Sequence, residues 1–259
     1  MASVPSARLG TIDWVDLTTP DVEIALTFYE RVLPWTYEST ATAMGTYHVA
    51  KVSGHDAAGL MAAASGSETP ALWSVFVRVA SVDETLAAVT NAGGTVLAPP
   101  FDIPGGARVG VAADPLGAAF AVIAGGPQPG PDEPPLRRAE PGAVGWCELL
   151  SRDPHAVVNF YDAVFGWRPE LDPQSGYTTL RLDGTDIGGL LAMPAEVPDE
   201  APSHWLVYFT VDDVTAAAEA TATAGGIVLR PPSVIGPVTF AVLADPQGAA
   251  FGVMATVGR

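Results

Sequence analysis

Two stretches of sequence decide the fold: DWVDLTTPDVEIALTFYERVLPW at residues 13–35 and GWCELLSRDPHAVVNFYDAVFGW at residues 145–167. Each stretch has a tryptophan at its second position, an acidic residue two positions later, a Phe-Tyr pair and a closing tryptophan. The step from residue 13 to residue 145 is a shift of 132 residues. Because this period far exceeds the roughly 20–50 residues of solenoid repeats, it indicates a duplicated domain.

The repeat extends along almost the whole chain. The same shift aligns Trp73 with Trp205, and after the loss of one residue DPLGAAF at 114–120 aligns with DPQGAAF at 245–251. The copies are separated by a proline-rich stretch without apolar periodicity, which is typical of a semi-rigid spacer. We therefore predict an N-terminal tail at 1–9, a first domain at 10–125, a linker at 126–141 and a second domain at 142–257.

Each copy combines strands with two helices. In the first copy, Pro20-Asp21 opens a helix that continues to about Leu33, and Gly93-Gly94 closes a second helix that begins near Val82. The Asp-Pro-x-Gly tetrapeptides predict tight turns between the last two strands. This pattern predicts the α+β class, with helices on one face of a sheet. The predicted strands of the first copy lie at 11–18, 46–53, 57–63, 73–79, 95–98, 107–113 and 118–124.

Composition excludes several classes of function. The 259 residues carry a formal net charge of −17, which argues against nucleic acid and anionic membranes as partners. The single cysteine, Cys147, permits neither an intramolecular disulfide nor a cysteine-based metal site. The sequence shows neither the apolar segment of a secretory signal nor a run long enough to span a bilayer. We therefore expect a cytoplasmic protein.

The Phe-Tyr pair on the first helix and the Asp-Pro-x-Gly turn before the last strand resemble the vicinal oxygen chelate superfamily. This superfamily includes glyoxalase I, extradiol dioxygenases and bleomycin-resistance proteins, and the tandem arrangement resembles actinobacterial two-domain CFP32-like proteins. The resemblance implies two tandem glyoxalase-like domains. Each would consist of paired βαβββ modules that form a cupped, mostly antiparallel sheet with the ligand inside.

The resemblance also implies where a divalent metal ion would be held. Metal-dependent members use a histidine on the first strand, a second ligand on the strand before the second helix, and a glutamate on the last strand. An indole offers no lone pair to a metal, and aliphatic side chains offer no ligand atom. Taking the nearby His204 as a ligand would not complete a set. We expect no metal ion and no other cofactor. The three pairs of implied ligand positions hold Trp14 and Trp146, Ser74 and Leu206, and Ala121 and Gly252.

Strand alternation predicts the lining of the implied cup. Large aromatic side chains opposite small residues would form an apolar slot with a few polar groups, which is typical of a small-molecule site. Trp14 and Trp146 have an equally good alternative role as fillers of the core. The predicted ligand-binding residues are Trp14, Trp146, Ser74, Phe76, Arg78, Leu206, Tyr208, Ala121 and Gly252.

Asp16, Glu148 and His204 are the candidate acid–base residues. A carboxylate beside an indole has its pKa raised by desolvation, which suits proton transfer in a closed site. The alternatives are solvated strand positions for the two carboxylates and a packing or capping role for His204. His48 has no partner at ligand spacing and is interpreted as a surface or turn residue. The Phe-Tyr pairs are interpreted as helix packing, with a tyrosine hydroxyl able to reach the cup.

Three functions remain compatible with these residues. The first is metal-free binding of a small planar or aromatic metabolite, related to antibiotic handling or secondary metabolism. The second is an enzyme that uses the acid–base residues in a biosynthetic pathway. The third is a metal-dependent lyase or hydroxylase with an atypical site, which the missing ligands disfavour. The expected partner is a small molecule, and the chain is expected to be a monomer or a homodimer.

Overall fold

The computed structural model describes residues 9–64, 66, 70–126, 136, 139–194, 197 and 201–256. The predicted N-terminal tail, apart from Leu9, and most of the predicted linker lie outside the described residues. None of the helices within these ranges has the length and apolar character that crossing a bilayer requires.

Each copy contains eight strands and two helices. The first copy consists of β1 (Ile12–Thr19), α1 (Val22–Val32), β2 (Thr36–Thr42), β3 (Gly45–Val52), β4 (His55–Ala62), β5 (Leu72–Arg78), α2 (Val82–Asn91), β6 (Thr95–Ile103), β7 (Ala107–Ala113) and β8 (Ala119–Gly125). The second copy consists of β9 (Val144–Ser151), α3 (Pro154–Phe165), β10 (Arg168–Leu171), β11 (Thr178–Leu182), β12 (Thr185–Ala192), β13 (His204–Thr210), α4 (Val214–Thr223), β14 (Ile227–Ile235), β15 (Val238–Ala244) and β16 (Ala250–Thr256).

The strands of each copy form one mixed sheet, which confirms the predicted α+β class with tandem domains. The strand order is β2-β3-β4-β1-β5-β8-β7-β6 in the first sheet and β10-β11-β12-β9-β13-β16-β15-β14 in the second. The strand before each helix pairs in parallel with the third strand after that helix, as β1 with β4 and β5 with β8. The hairpins pair antiparallel, as β3 with β4 and β7 with β8.

The strand that directly follows the first helix of each copy, β2 or β10, was not predicted from the sequence. Both are edge strands: β2 is largely exposed, and all four residues of β10 are exposed. An edge strand without a buried face carries no apolar alternation, so its sequence resembles a loop. Strand β6 also continues to Ile103 through Pro99-Pro100, beyond the predicted limit, because an edge strand tolerates missing backbone donors.

The predicted Asp-Pro-x-Gly turns are confirmed. The Asp114 carboxylate accepts hydrogen bonds from the backbone N–H groups of Leu116 and Ala118, and the Gly117 N–H donates to the Asp114 carbonyl. Gly117 has a φ of 91°, a left-handed conformation that side chains other than glycine rarely adopt. This turn joins β7 to β8, and Asp245 forms the same contacts in the second copy.

The chain divides into two compact units that do not follow the sequence copies. The first unit contains the described residues within 1–13, 75–133 and 147–205, and the second contains those within 14–74, 134–146 and 206–259. Each unit therefore combines the second half of one copy with the first half of the other. The helices show the same exchange, because α2 contacts α3 in the first unit and α1 contacts α4 in the second.

Glycines allow this close approach between the copies. A Cβ atom on Gly94 would lie 2.8 Å from the Phe160 ring in the first unit, and one on Gly226 would lie 2.9 Å from the Phe28 ring in the second. Real Cβ contacts of this kind are not shorter than 3.0 Å. The glycine that follows the second helix of one copy thus makes room for the phenylalanine in the Phe-Tyr pair of the other copy.

A buried hydrogen-bonded node joins the copies within the first unit. Tyr161 Oη donates to Asp114 Oδ2 over 3.2 Å and accepts from Trp205 Nε1 over 3.2 Å. Burial, followed by the charge of Asp114, raises the pKa of Tyr161 well above its usual value, so the hydroxyl keeps its proton. The expectation that these tyrosine hydroxyls reach the ligand side is wrong, because they are bonded within the helix-covered core.

The second unit repeats this node with Tyr29, Trp73 and Asp245. Trp73 Nε1 donates to Tyr29 Oη over 2.9 Å, and Tyr29 Oη donates to Asp245 Oδ2 over 3.4 Å. The closing tryptophans have a related role. Trp35 Nε1 donates to the Gly142 carbonyl over 2.7 Å in this unit, and Trp167 Nε1 donates to the Gly10 carbonyl over 2.6 Å in the first unit. Each closing tryptophan is therefore bonded to the backbone that precedes the other copy's first strand.

Replacement of Tyr161 by phenylalanine tests the node. The change leaves the Trp205 N–H and one Asp114 oxygen without this partner in the core, so we expect the free energy of unfolding to fall by about 1–3 kcal/mol. Tyr29→Phe should cost a similar amount, because it removes the matching hydroxyl.

Urea denaturation of the three proteins gives the values. Tyr37→Phe is the control, since its hydroxyl makes a 3.3 Å bond to the Leu26 carbonyl and the side chain is less buried. Equal losses for Tyr161→Phe and Tyr37→Phe would mean that the node adds no special stability.

Candidate functional site

Strand β1 carries different side chains on its two faces. Val15 and Leu17 are fully buried toward the helix-covered core, so Trp14 and Asp16 lie on the opposite face. Trp14 is half-buried and Asp16 is 9% exposed. The predicted pair of indole and carboxylate is therefore present on the face that the helix does not cover.

Trp14 and Asp16 form a cluster with Tyr47 of β3, here called the first cluster. Trp14 Nε1 donates to Asp16 Oδ1 and to Tyr47 Oη, each over 2.9 Å. Tyr47 Oη donates to the same Asp16 oxygen over 2.6 Å. Both neutral donors thus converge on Oδ1. In the described part of the chain, no group hydrogen-bonds to the other carboxylate oxygen, Oδ2.

Gly59 of β4 provides the space for this cluster. It is the strand partner of Asp16 in the parallel β1–β4 pair. A Cβ atom at Gly59 would lie 1.7 Å from Asp16 Oδ1 and 2.0 Å from Tyr47 Oη. Because these distances are far below any van der Waals contact, the cluster requires a glycine at this position.

Burial controls the electrostatics of the first cluster. Desolvation raises the pKa of Asp16 from 3.8 to about 6, while the hydrogen bonds from Tyr47 and Trp14 act in the opposite direction. Desolvation also raises the pKa of Tyr47, with a further contribution from the Asp16 charge. Asp16 therefore changes protonation near neutral pH, whereas Tyr47 remains a proton donor.

The second copy contains a related arrangement, here called the second cluster. Tyr177 Oη donates to Glu148 Oε1 over 2.8 Å, and Glu148 is 8% exposed. Trp146 shares the β9 face of Glu148 by strand alternation and is half-buried. The strand partner of Glu148 is Gly189, as Gly59 is the partner of Asp16.

Tyr47 and Tyr177 were not predicted from the sequence as members of the clusters. These residues are 130 positions apart, as are Gly59 and Gly189, because the second copy is two residues shorter before this region. The constant shift of 132 residues therefore aligned Tyr47 with a threonine. The similar strings HDAAGL at 55–60 and TDIGGL at 185–190 were the signal that could have corrected the alignment.

The predicted residues on β5 and β8 lie together in part. Phe76 is the strand partner of Ala121, and Ser74 is half-buried. The Arg78 guanidinium forms an ion pair with Asp13, and its Nη1 also donates to the Gly125 carbonyl over 2.9 Å. Because these groups of the protein already bind the Arg78 guanidinium, it is less available to a ligand than was predicted.

The equivalent positions of the second copy form an aromatic platform. The ring of Tyr208 lies over Gly252, where a Cβ atom would be 2.1 Å from the ring. Phe240 lies 6.3 Å from the Tyr208 ring, and the Arg230 guanidinium lies 5.0 Å above the Phe240 ring. Leu206, also predicted to line the site, is only 2% exposed.

The candidate histidine, His204, begins β13, the strand next to β9 in the second sheet. His204 Nδ1 lies 3.0 Å from the Pro202 carbonyl oxygen. Since a carbonyl oxygen can only accept, Nδ1 carries the hydrogen in this bond. This local contact agrees with the alternative capping or packing role. His48, interpreted above as a surface or turn residue, is instead 6% exposed in β3 and lies 2.9 Å from Ser39 Oγ through Nδ1. The interpretation was wrong because β2, which covers it, was missed.

The first cluster does not fit the divalent ion that the resemblance implies. The Trp14 indole presents an N–H rather than a lone pair, and it is directed at the only carboxylate of the cluster. Across the described ranges, no group of three or more histidine, cysteine or acidic residues is arranged to hold a metal ion.

A shallow groove of about 350 Å³ occurs elsewhere in the second unit. It lies on the helix side and is open to solvent, lined by residues that include Ile24, Phe28 and Pro246. None of the predicted ligand-binding residues lines it. We therefore assign the candidate site to the clusters and not to this groove.

Replacement of Asp16 by asparagine tests its environment. The folded-state pKa of Asp16 lies above the unfolded value, so ionisation destabilises the folded protein as the pH rises from about 4 to 6. Asparagine avoids this charge, and we expect the variant to be more stable than the parent by about 2–3 kcal/mol at pH 7.5, with the difference vanishing below pH 4.

Urea denaturation at the two pH values measures the effect. Asp83→Asn is a control with the opposite expected trend, because Arg108 lowers the pKa of Asp83. If the stability difference for Asp16→Asn does not depend on pH, Asp16 is not desolvated as described.

Replacement of Gly59 by alanine should destabilise the protein by about 1–3 kcal/mol, because the new methyl group displaces the first cluster. Asp16→Ala opens space at the same point. The double variant Asp16→Ala/Gly59→Ala should therefore have a free energy of unfolding about 1 kcal/mol or more above the value expected if the two single effects were additive. Strict additivity in denaturation experiments would contradict the contact.

Comparison with known proteins places the chain in a family. The model of the Glyoxalase/Bleomycin resistance protein/Dioxygenase superfamily matches residues 11–122 and 143–253. CFP32 of Mycobacterium tuberculosis, provisionally named a glyoxylase, is 35% identical, with 95% of each chain covered. The anthracycline biosynthesis protein DnrV of Streptomyces peucetius is 31% identical, over 95% of this chain and 93% of DnrV.

A solved structure shares the fold. The Mn(II)-bound glyoxalase of Novosphingobium aromaticivorans has a TM-score of 0.65 at 21% identity, over 96% of this chain and 83% of that chain. At this identity the likeness concerns the fold alone. The two family matches together cover most of the sequence and both copies. The chain therefore belongs to the Glyoxalase/Bleomycin resistance protein/Dioxygenase superfamily.

Proposed function

We propose that this protein binds a small planar aromatic metabolite, without a metal ion, on the sheet faces that carry the two clusters. The observation that carries this proposal is the first cluster, in which the Trp14 indole N–H is bonded to Asp16 and Tyr47. This bonding fixes the orientation of a half-buried aromatic ring, and a fixed ring loses little entropy when it stacks on a ligand.

The distribution of the tryptophans supports a binding role for two of them. Four of the six tryptophans are at least 95% buried in the cores of the units, where they contact other aromatic rings; these are Trp35, Trp73, Trp167 and Trp205. Trp14 and Trp146 are only half-buried. The two half-buried rings occupy equivalent positions on β1 and β9, two residues before Asp16 and Glu148, which argues for a role on the ligand face over simple core filling.

The relatives suggest the chemical class of the ligand. DnrV is named for anthracycline biosynthesis, and anthracyclines are fused aromatic ring systems with phenolic hydroxyl groups. Such a ligand suits an open indole with nearby hydrogen-bonding oxygens. We accordingly propose a role in secondary metabolism, in the cytoplasm, with a small molecule rather than nucleic acid as partner, and with the chain acting as a monomer or homodimer. A metal-dependent lyase or hydroxylase is disfavoured by the donor groups of the first cluster.

Tryptophan fluorescence with alizarin, a dihydroxyanthraquinone, tests the binding. Alizarin should quench the emission saturably in the parent protein. Trp14→Ala should weaken binding by about 3- to 10-fold, because it removes one aromatic contact, and Trp14→Phe should retain most of the affinity. Trp146→Ala measures the second cluster in the same way. Absence of saturable quenching by alizarin, or unchanged affinity in both alanine variants, would contradict the proposal.

Elemental analysis of the dialysed protein tests the absence of a metal. We expect manganese, iron, nickel and zinc each to be far below one equivalent per chain. Alizarin binding should also persist after treatment with a chelator. A near-stoichiometric ion that resists dialysis, with binding that depends on it, would overturn the metal-free assignment.

A further inference from the structure

We propose that Asp16 acts as a general base that removes the proton of an acidic ligand hydroxyl, a phenol or an enol, through its open oxygen Oδ2. This inference rests on the proposed function, since it concerns the ligand bound at the first cluster. It goes further by assigning the ligand class, the acting atom and a chemical step. In that step the ligand O–H bond breaks and an O–H bond forms on Asp16 Oδ2, while the negative charge moves from the carboxylate to the ligand oxygen.

The two oxygens of Asp16 have different surroundings. Oδ1 accepts hydrogen bonds from Trp14 Nε1 and Tyr47 Oη at 2.9 and 2.6 Å. Oδ2 receives no hydrogen bond from any group that the structure describes. Asp16 is 9% exposed and Oδ2 is not one of the buried polar atoms without a partner, so this oxygen is accessible and can accept from a hydroxyl that enters from the open face.

Tyr47 and Gly59 are the positioning residues. Tyr47 holds Oδ1, and because its own pKa is raised it remains protonated and cannot exchange roles with Asp16. Gly59 leaves the carboxylate enough space to lie between Trp14 and Tyr47. Together they restrict rotation of the carboxylate and keep Oδ2 available.

The electrostatic setting suits proton removal near neutral pH. Burial raises the pKa of Asp16 to about 6, and the opposing contributions come from two uncharged groups, Tyr47 and Trp14. Among charged groups, Asp56 acts on Tyr47 and further disfavours its ionisation. A base with such a pKa is ionised at pH 7 and is stronger than an ordinary aspartate, which matches the requirement for general-base catalysis.

The buried aspartates on the helix side do not combine a free carboxylate oxygen with an open face. Asp114 accepts from Tyr161 and from the backbone of its own turn, and Asp245 is bonded in the same way to Tyr29. Both aspartates are therefore engaged in structure. Glu148 in the second cluster shares the tyrosine contact of Asp16, with a side chain longer by one methylene.

The visible spectrum of bound alizarin tests the proton transfer, because its phenolate absorbs at longer wavelength than the neutral dye. Near pH 6, where the free dye is only partly ionised, the parent protein should bind alizarin with a larger anionic fraction than the free dye shows at the same pH. Below pH 6 Asp16 is protonated and the bound dye should remain neutral. Asp16→Asn should bind alizarin, as shown by tryptophan quenching, but without the spectral shift at any pH up to that of the free dye.

Two further variants complete the experiment. Tyr47→Phe should move the midpoint of the spectral transition upward by about one pH unit, because it removes a hydrogen bond that favours the ionised carboxylate. Asp83→Asn, an exposed site on α2, should behave as the parent. Calorimetry in buffers of different ionisation enthalpy should find no net proton release at pH 7, since the proton moves from ligand to Asp16.

The outcomes distinguish the two proposals. Quenching without a spectral shift in the parent, or an equal shift in Asp16→Asn, would overturn the role of Asp16 and leave the binding function intact. Absence of quenching would overturn the binding function and this inference with it. A spectral shift that is lost in Asp16→Asn and displaced in Tyr47→Phe supports the assignment of Oδ2 as the base.

Discussion

A buried hydrogen bond from a tyrosine of one copy to the turn aspartate of the other is the contact on which both compact units depend. Asp114 shapes the last hairpin of the first copy through its own backbone contacts and also accepts from Tyr161 of the second copy. One carboxylate thus couples a local turn to the packing of a distant helix. Asp245 and Tyr29 form the reciprocal contact, so the duplication is used twice within one chain.

The two faces of the first strand of each copy carry different kinds of side chain. The helix-covered face is filled by apolar side chains such as Val15 and Leu17, and its polar contacts are made within the protein. On the other face, Asp16 is held by two donors at one oxygen only. An ionised carboxylate that is largely desolvated, with one oxygen not bonded by the protein, lowers stability, and such positions are typical of sites that are maintained for function.

The sequence was sufficient to predict the tandem α+β fold, both helices of each copy and the hairpin turns, because apolar periodicity, Asp caps and glycine stops all agreed. It also identified the indole–carboxylate pairs at Trp14 and Trp146. It could not identify β2 or β10, since an edge strand without a buried face has no alternation. His48 was interpreted as a surface residue for the same reason, because its neighbouring strand β2 was not predicted.

The tyrosines of the clusters were missed for a different reason. Tyr47 and Tyr177 reach the carboxylates from a neighbouring strand, and their partnership depends on a register that a two-residue deletion obscures. The exchange of halves between copies was also beyond the sequence, because an internal repeat shows that two units are similar but not which halves pack together. The packing of Gly94 against Phe160, and of Gly226 against Phe28, shows the arrangement in the structure.

The exchange of halves has an evolutionary consequence. Each turn aspartate accepts from a tyrosine of the other copy, and each closing tryptophan donates to a backbone carbonyl of the other copy, so the core of each unit is built from both copies. Covalent linkage turns what would be a bimolecular assembly into an intramolecular one, at an effective concentration on the order of millimolar. Selection therefore acts on the two copies jointly wherever their cores meet, whereas the faces that carry the clusters can drift apart. The replacement of Asp16 by Glu148, and the aromatic platform of Tyr208 and Phe240, record such divergence between paralogous surfaces in a single polypeptide.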